Sequence, residues 1–323
     1  MIDEKTIDSA VCGIFGNIEF TPEPAGLYDP LRYMIGIGGK RIRPRLCLTA
    51  YSLFKDSLDE EITEPAAAME VFHSFTLIHD DIMDRSPLRR GCETVWKKWS
   101  EDTAILSGDV MLIDAYTRIA KSPAPVRERV LSLFSRTAAE VCEGQQYDME
   151  FEEEQEVSQE AYNNMIRLKT AVLLACSAAT GAIIAGASEE ACKALYDYGL
   201  QLGMAFQIAD DYLDAYGDEK VFGKPIGGDI LNEKKSWLTI RALEKMEDKA
   251  AFHEVFESQD LEPTVKISRV KAVYDALGVA EDAKSEIRKY SDRAIESVSG
   301  LGLSPECLDA LKVFAEKLVG RVK

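Results

Sequence analysis

Apolar residues return at three- and four-residue spacing along most of this chain. That period puts them on one face of an α-helix and predicts helices over 62–77, 103–120, 126–142, 162–186, 189–213 and 232–245. Alanine is abundant in these stretches, and the alternation with Asn-Gly or Asp-Gly turns that marks hairpins is missing. Pro and Gly punctuate the pattern at Pro123-Ala124-Pro125, Gly186-Ala187-Ser188-Glu189 (Ser188 an N-cap candidate), Gly217 to Gly228, and Glu262-Pro263. No shift in composition marks a linker, so the expectation is one all-α domain over residues 1–323.

Within this pattern, His73 to Gly91 reads as the centre of the chain. An apolar run (Val71, Phe72, Phe75, Leu77, Ile78) leads without Pro or Gly into Asp80, Asp81 and Asp84. On a helix Asp84 lies only about 40° round from Asp80, one turn along, and His73 and Thr76 fall on the same stripe. Pro87 is expected to end the helix, with Arg89-Arg90-Gly91 in the loop beyond. Clustered carboxylates repel, and hard oxygen ligands suit Mg²⁺, which binds through one or two carboxylates plus substrate phosphates. One such motif alone is most simply a solvated acidic turn. A second copy changes the balance: Asp210-Asp211-Tyr212-Leu213-Asp214 repeats it at the end of another apolar helix, just after Gln207.

The 323 residues carry a net charge of −18, which argues against nucleic acid and anionic lipid as partners and makes local basic clusters conspicuous. Gly36, Gly38 and Gly39 precede Lys40-Arg41-Ile42-Arg43-Pro44-Arg45, a combination of turn, cations and new helix start that can cradle an anion or simply balance acidic neighbours. Lys169-Thr170 interrupts an apolar succession; the lysine either snorkels outward or points into a polar cavity. A Gly-rich basic loop with Lys224, then Lys234-Lys235-Ser236, follows the second Asp motif and suits a lid over phosphate. The run Glu152 to Glu156 reads as a solvated loop or helix face. The seven cysteines are scattered and never form Cys-x-x-Cys, which predicts reduced thiols and a cytoplasmic setting. No secretory leader and no run of about 18 consecutive apolar residues is expected, so no membrane insertion either.

These pieces together resemble the trans-isoprenyl diphosphate synthase (polyprenyl synthetase) family over roughly residues 30 to 240. Gly39-Lys40-Arg41-Ile42-Arg43-Pro44 resembles its first basic motif, His73 its diphosphate-binding histidine, and Asp80 to Asp84 with Arg89-Arg90-Gly91 its first Asp-rich motif. Gly144-Gln145-Gln146-Tyr147-Asp148 is similar to its Gly-Gln-x-x-Asp element. Lys169-Thr170 and Gln207 to Asp214 resemble its later substrate helix and second Asp-rich motif, and Lys224 and Lys234 fall where its closing loop carries lysines.

The resemblance implies a single bundle of long helices around a deep apolar cavity (the isoprenoid synthase fold), in a homodimer. It implies condensation of isopentenyl diphosphate with an allylic diphosphate, with three Mg²⁺ ions per site. By that resemblance Asp80, Asp84 and Asp210 hold the metal, and Asp81, Asp211 and Asp214 complete the two motifs. Arg89, Lys169 and Lys224 meet the allylic phosphates, with Lys234 in the lid. Lys40, Arg43, His73 and Arg90 take isopentenyl diphosphate, and Thr170 and Gln207 face the carbocation. No protein nucleophile is needed.

Two departures stand out. Glu93-Thr94-Val95-Trp96 replaces the family's Pro-Thr-x-His, and Asn232-Glu233 stands where Gly and Thr are usual in the closing loop, which could slow or stiffen the lid. In the family the fourth and fifth positions before the first Asp motif act as a floor; here they are Thr76 and Phe75, with Phe72 a second stop or simply core. A ring at 75 predicts a short product, C15 or C20. The neighbouring alternatives are a class I terpene cyclase, which usually lacks the second Asp-Asp-x-x-Asp, and a non-catalytic subunit of a heteromeric synthase, which tends to lose its Asp motifs. The C-terminal Arg321-Val322-Lys323 is a further candidate for closing the site.

Overall fold

The predicted helices form, and most run further than their apolar stripes. The computed structural model describes residues 2–217 and 226–320. Its helices are α1 (Glu4–Gly16), α2 (Ala25–Gly36), α3 (Ile42–Ser52), α4 (Glu60–Met83), α5 (Val95–Lys98), α6 (Glu101–Ile119), α7 (Arg127–Glu153), α8 (Gln159–Ile166), α9 (Val172–Ile184) and α10 (Glu189–Tyr216). After these come α11 (Gly228–Leu231), α12 (Trp237–Lys245), α13 (Ala250–Phe256), α14 (Pro263–Ala276), α15 (Val279–Ser299) and α16 (Pro305–Val319). The fold is all-α, as the periodicity predicts. Several starts are fixed by caps: Asp3, Ser100, Ser158, Ser188 and Ser236 each accept from the main-chain N–H three residues on.

Three expectations are corrected. The first Asp helix ends at Met83 rather than at Pro87, because Arg85 takes a left-handed conformation (φ 49°) that no helix can continue. Of Arg89-Arg90-Gly91 only the last two are loop: Leu88–Arg89 (β1) pairs antiparallel with Cys92–Glu93 (β2), in the register Leu88 to Glu93 and Arg89 to Cys92, with Arg90-Gly91 as the turn. Positive φ at both Arg90 (54°) and Gly91 (76°) is what a two-residue hairpin turn requires. Finally, 232–245 is not one helix, since residues 232–236 separate α11 from α12.

The chain divides into two compact units, each discontinuous in sequence: Met1–Thr137 with Leu173–Tyr196 and Leu301–Cys307, and Ala138–Val172 with Asp197–Gly300 and Leu308–Lys323. In the first, α4 packs along α6 over a core that includes Ile62, Met69, Phe72, Ile78, Met111 and Phe134, all fully buried. Here α3 meets α9 backbone to backbone, because a Cβ on Gly181 would lie 2.1 Å from the Cys47 carbonyl oxygen. A cavity of about 640 Å³ lies among α1, α3, α4 and α6; its α4 lining stops at Ala67, about 20 Å of helix short of Asp80.

The second unit is built on Tyr162, Tyr198, Ile208, Trp237, Phe252, Val270 and Tyr274, all buried. The Tyr198 hydroxyl donates to the Leu311 carbonyl at 2.7 Å, and Tyr274 and Thr239 hydroxyls meet at 2.8 Å. Between α8 and α9 the chain makes one π-turn, Arg167–Ala171, closed by the Val172 N–H reaching back to the Arg167 carbonyl. Taken as one rod, 159–184 is long and apolar enough to cross a membrane, yet 89% of its most apolar window is buried inside the protein.

Candidate active site

The first unit gathers the cations that the sequence spreads from Lys40 to Arg90. Gly39 takes a positive φ (145°), and a Cβ there would sit 2.5 Å from an Arg90 guanidinium nitrogen, so the bare glycine lets Arg90 lie flat on the backbone. Arg41, at the left-handed start of α3, is buried: it donates to Glu70 at 3.1 Å and to the Ile35 carbonyl at 2.6 Å, and lies over the Phe15 ring. It is a structural arginine that the motif alone does not separate from Arg43, which is also buried, or from exposed Lys40. His73, half-buried on α4, faces this group. Burial first, then the charges of Arg43, Arg90, Arg89 and Arg41, hold its imidazole well below its ordinary pKa and keep it neutral. Arg90 is also lowered, by burial and by Arg41 and Arg89, against the pull of Glu70.

Two turns beyond His73 the carboxylates begin. Asp80 and Asp84 sit one turn apart, the Asp84 N–H donating to the Asp80 carbonyl at 2.8 Å. Asp81 turns inward, 2% exposed, and Arg89 Nε donates to both its oxygens at 2.9 Å while a second guanidinium nitrogen reaches Asp80 at 3.4 Å. Burial raises the Asp81 carboxyl, with Arg89 opposing and Asp80 and Asp84 adding to the rise. Burial pulls Arg89 down, but Asp81 carries it above its ordinary value. Trp96, at the position of the missing histidine, donates to the Ser86 carbonyl at 2.9 Å, and Thr94 donates to the same oxygen at 2.7 Å; together they brace the segment between α4 and the hairpin.

Beneath the carboxylates the aromatic rings are chained. Phe75 packs against His79 (4.9 Å between centroids) and Phe72 (5.5 Å), and Phe72 stands edge-on to Phe134 at 5.3 Å. Phe75 is nearly buried and Phe72 wholly so, while the Thr76 hydroxyl donates to the His73 carbonyl.

The second unit carries the other half of the candidate residues. Gly144 on α7 and Gly203 on α10 flank the π-turn: a Cβ at Gly144 would lie 2.2 Å from Lys169 N, and one at Gly203 2.5 Å from Ala171 Cα. Lys169 does not snorkel into solvent; it pairs with Asp148 at 2.6 Å. Thr170 donates to Gln207 Oε1 at 2.9 Å, and Gln207 Nε2 to Asp211 at 3.0 Å. Asp211 also accepts from the Tyr162 hydroxyl and from Trp237 N–H. Its burial pushes the carboxyl up to about 6 although all three donors favour the charged form. Asp214 accepts from Asp229 N–H at 3.0 Å, and its carbonyl from Gly227 N–H at 2.6 Å, which ties the following loop to the motif. Asp210 is half-exposed at the edge of this network. Lys234 N–H donates to the Asp229 carbonyl; Lys235 turns its ammonium onto the carbonyls of Phe151, Glu152 and Glu154 and caps the C-terminus of α7. Lys224 and Arg321 to Lys323 lie outside the described residues.

Both Asp sets offer hard oxygen donors of the kind Mg²⁺ takes. Asp80 and Asp84 lie a turn apart beside a carboxyl raised in part by their charge, which is the state a divalent cation relieves. Among the described residues no three acidic, His or Cys side chains close into a cage. Mg²⁺ that shares its coordination with substrate phosphates and water needs no such cage.

The sequence profile of the polyprenyl synthetase family matches residues 24–277. The chain belongs to that family. It is 43% identical over 223 residues to the short chain isoprenyl diphosphate synthase of Methanocaldococcus jannaschii, covering 69% of this chain and 68% of the relative. It is 38% identical over 303 residues to the geranylgeranyl diphosphate synthase of Saccharolobus solfataricus, covering 90% and 89%. A crystal structure of a geranylgeranyl pyrophosphate synthase superposes with a TM-score of 0.92 at 41% identity over 99% of each chain. The polyprenyl synthetase fold and enzyme class follow: this is a short-chain trans-prenyltransferase, from a family that joins isopentenyl diphosphate to allylic diphosphates and is in general magnesium-dependent.

The motifs did not reveal Glu70, Tyr162 or the Trp237 N–H. Glu70 and Tyr162 sit inside apolar helical stripes, where an acid and a phenol need buried partners; a main-chain donor leaves no mark in sequence.

Proposed function

We propose that the enzyme extends an allylic diphosphate with isopentenyl diphosphate to an all-trans C15 or C20 product, using three Mg²⁺ ions. Asp80, Asp84 and Asp210 would hold the metal. Magnesium held there would neutralise the charge that develops on the departing pyrophosphate. Lys40, Arg43, Arg90 and neutral His73 bind isopentenyl diphosphate, and Arg89, Lys169, Lys224 and Lys234 bind the allylic phosphates. The allylic C1–O bond breaks, the π-electrons of isopentenyl diphosphate form the new C–C bond to C1, and the proton lost from its C2 passes to pyrophosphate. Thr170 and Gln207 turn oxygen dipoles toward the cation. The cationic group converging on a neutral His73 carries this reading, because it is a diphosphate cradle in a protein of net charge −18.

The chain-length reading is supported by Phe75, whose ring packs against Phe72, itself edge-on to Phe134. A homodimer is supported by Ile105, Leu106 and Ile113, which α6 leaves 42%, 58% and 63% exposed. Seven free cysteines fit a cytoplasmic setting. The test is incubation of the purified protein with Mg²⁺, isopentenyl diphosphate and a C5, C10 or C15 primer, with products read by mass. Elongation that stops at C15 or C20 is expected. Cyclic hydrocarbon without elongation, or no turnover, would replace the reading with a cyclase or an inactive partner subunit.

A further inference from the structure

Asp211 belongs to an Asp-rich motif, yet its carboxylate is engaged inside the second unit. It is 5% exposed, and one oxygen, Oδ2, accepts from both the Tyr162 hydroxyl and the Trp237 N–H, the latter at 2.9 Å. The other oxygen, Oδ1, accepts from Gln207 Nε2 at 3.0 Å. An ionised carboxylate only accepts hydrogen bonds. The Gln207 amide therefore has one orientation: its NH₂ faces Asp211, and its carbonyl faces Thr170, whose hydroxyl donates to it at 2.9 Å. A hydroxyl carries one proton. With that proton held by Gln207, Thr170 can offer only lone pairs to anything else beside it.

We infer that Asp211, locked by Tyr162 and the Trp237 N–H, is a positioning residue that sets the direction of the Gln207 and Thr170 dipoles, so that both present oxygen rather than hydrogen to the developing allylic cation. This rests on the proposed reading that Thr170 and Gln207 face that cation. The geometry makes the order of the chain matter: hydroxyl to carboxylate, amide to carboxylate, hydroxyl to amide. Asn at 211 would set two NH₂ groups against each other and release the Gln207 amide to flip, turning a hydrogen toward Thr170 and freeing its proton. Asp210 lies half-exposed beside it.

The experiment compares wild type, Asp211→Asn, Tyr162→Phe, Asp210→Asn and the exchange Asp211→Asn with Gln207→Glu in the full-length enzyme. For each, kcat, the KM for isopentenyl diphosphate and the Mg²⁺ midpoint are measured. Asp211→Asn is expected to lower kcat about ten- to hundredfold with the other two values unchanged. The exchange should recover most of the loss, because the amide introduced at 211 then donates to the carboxylate introduced at 207, which still accepts from Thr170. Asp210→Asn should instead raise the Mg²⁺ midpoint. An exchange variant no faster than Asp211→Asn, or an Asp211→Asn variant whose Mg²⁺ midpoint rises as that of Asp210→Asn does, would overturn the inference. If the Asn variants do not fold, Tyr162→Phe decides: a lower kcat at constant KM and Mg²⁺ midpoint supports it, and an unchanged kcat overturns it. A wild type that ionises substrate but does not elongate would sink the functional reading instead and leave the dipole argument standing.

Discussion

Arg89 holds Asp81 by both carboxylate oxygens, its Nε 2.9 Å from each. Asp81 is buried and Arg89 half-buried, so removing the cation strands the Asp81 charge rather than losing a surface contact. Arg89→Ala is expected to cost about 3 kcal/mol of stability by urea unfolding, the lower end of the range for breaking a buried pair. Asp80→Asn, at a more exposed carboxylate, should cost under about 1 kcal/mol while raising the Mg²⁺ requirement. Equal losses in the two variants would mean that Asp81 keeps another partner.

His73 gives a pH signature. Its folded pKa lies well below 6.5, so below that pH the unfolded chain takes up a proton that the folded chain refuses. Stability should therefore fall as pH drops from 6.5 toward the folded pKa, by up to about 1.4 kcal/mol per pH unit, and owe nothing to this residue above 6.5. The difference between wild type and His73→Gln, measured by denaturation from about pH 7.5 to 5, should show that slope. Parallel curves would mean that His73 charges normally.

Phe75→Ala should open the floor and lengthen the product by one or more C5 units, read by mass. Phe72→Ala removes a fully buried ring that stands edge-on to Phe134 and should cost about 3–5 kcal/mol in stability. An unchanged product from Phe75→Ala would put the floor elsewhere.

Glu233 explains a departure in the closing segment. It sits at φ 56° and accepts from Lys266, 3% exposed, at 2.9 Å and from Gln259 at 2.6 Å. Both Glu233→Ala and Glu233→Gly lose the pair, but glycine also relieves the left-handed strain. The Gly variant should thus be more stable than the Ala variant by about 1 kcal/mol, measured by thermal unfolding. The reverse order would mean that the strain is absent in solution.

Much of this was legible in the sequence, and the reasons differ by element. The long helices announce themselves because α4, α6 and α10 bury continuous apolar stripes. The roles within the motifs were less legible. Arg41 and Arg43 share one motif, yet only the fold pairs Arg41 with Glu70, far along the chain. Asp80 and Asp81 are adjacent, and a helical step turns one to the edge and the other into the core. The hairpin at Leu88 to Glu93 was hidden because its strands are two residues long and its turn is Arg-Gly rather than Asn-Gly. The π-turn was hidden because periodicity over 162–186 registers a helix whether or not one turn holds an extra residue.

That extra residue binds three distant positions into a single heritable feature. The π-turn has room because Gly144 and Gly203 lack side chains on its two flanks. A lineage that lost the turn would free both glycines to drift, and one that changed either glycine first would collide with Lys169 or Ala171. The turn can go first, but neither glycine can change while the turn stands.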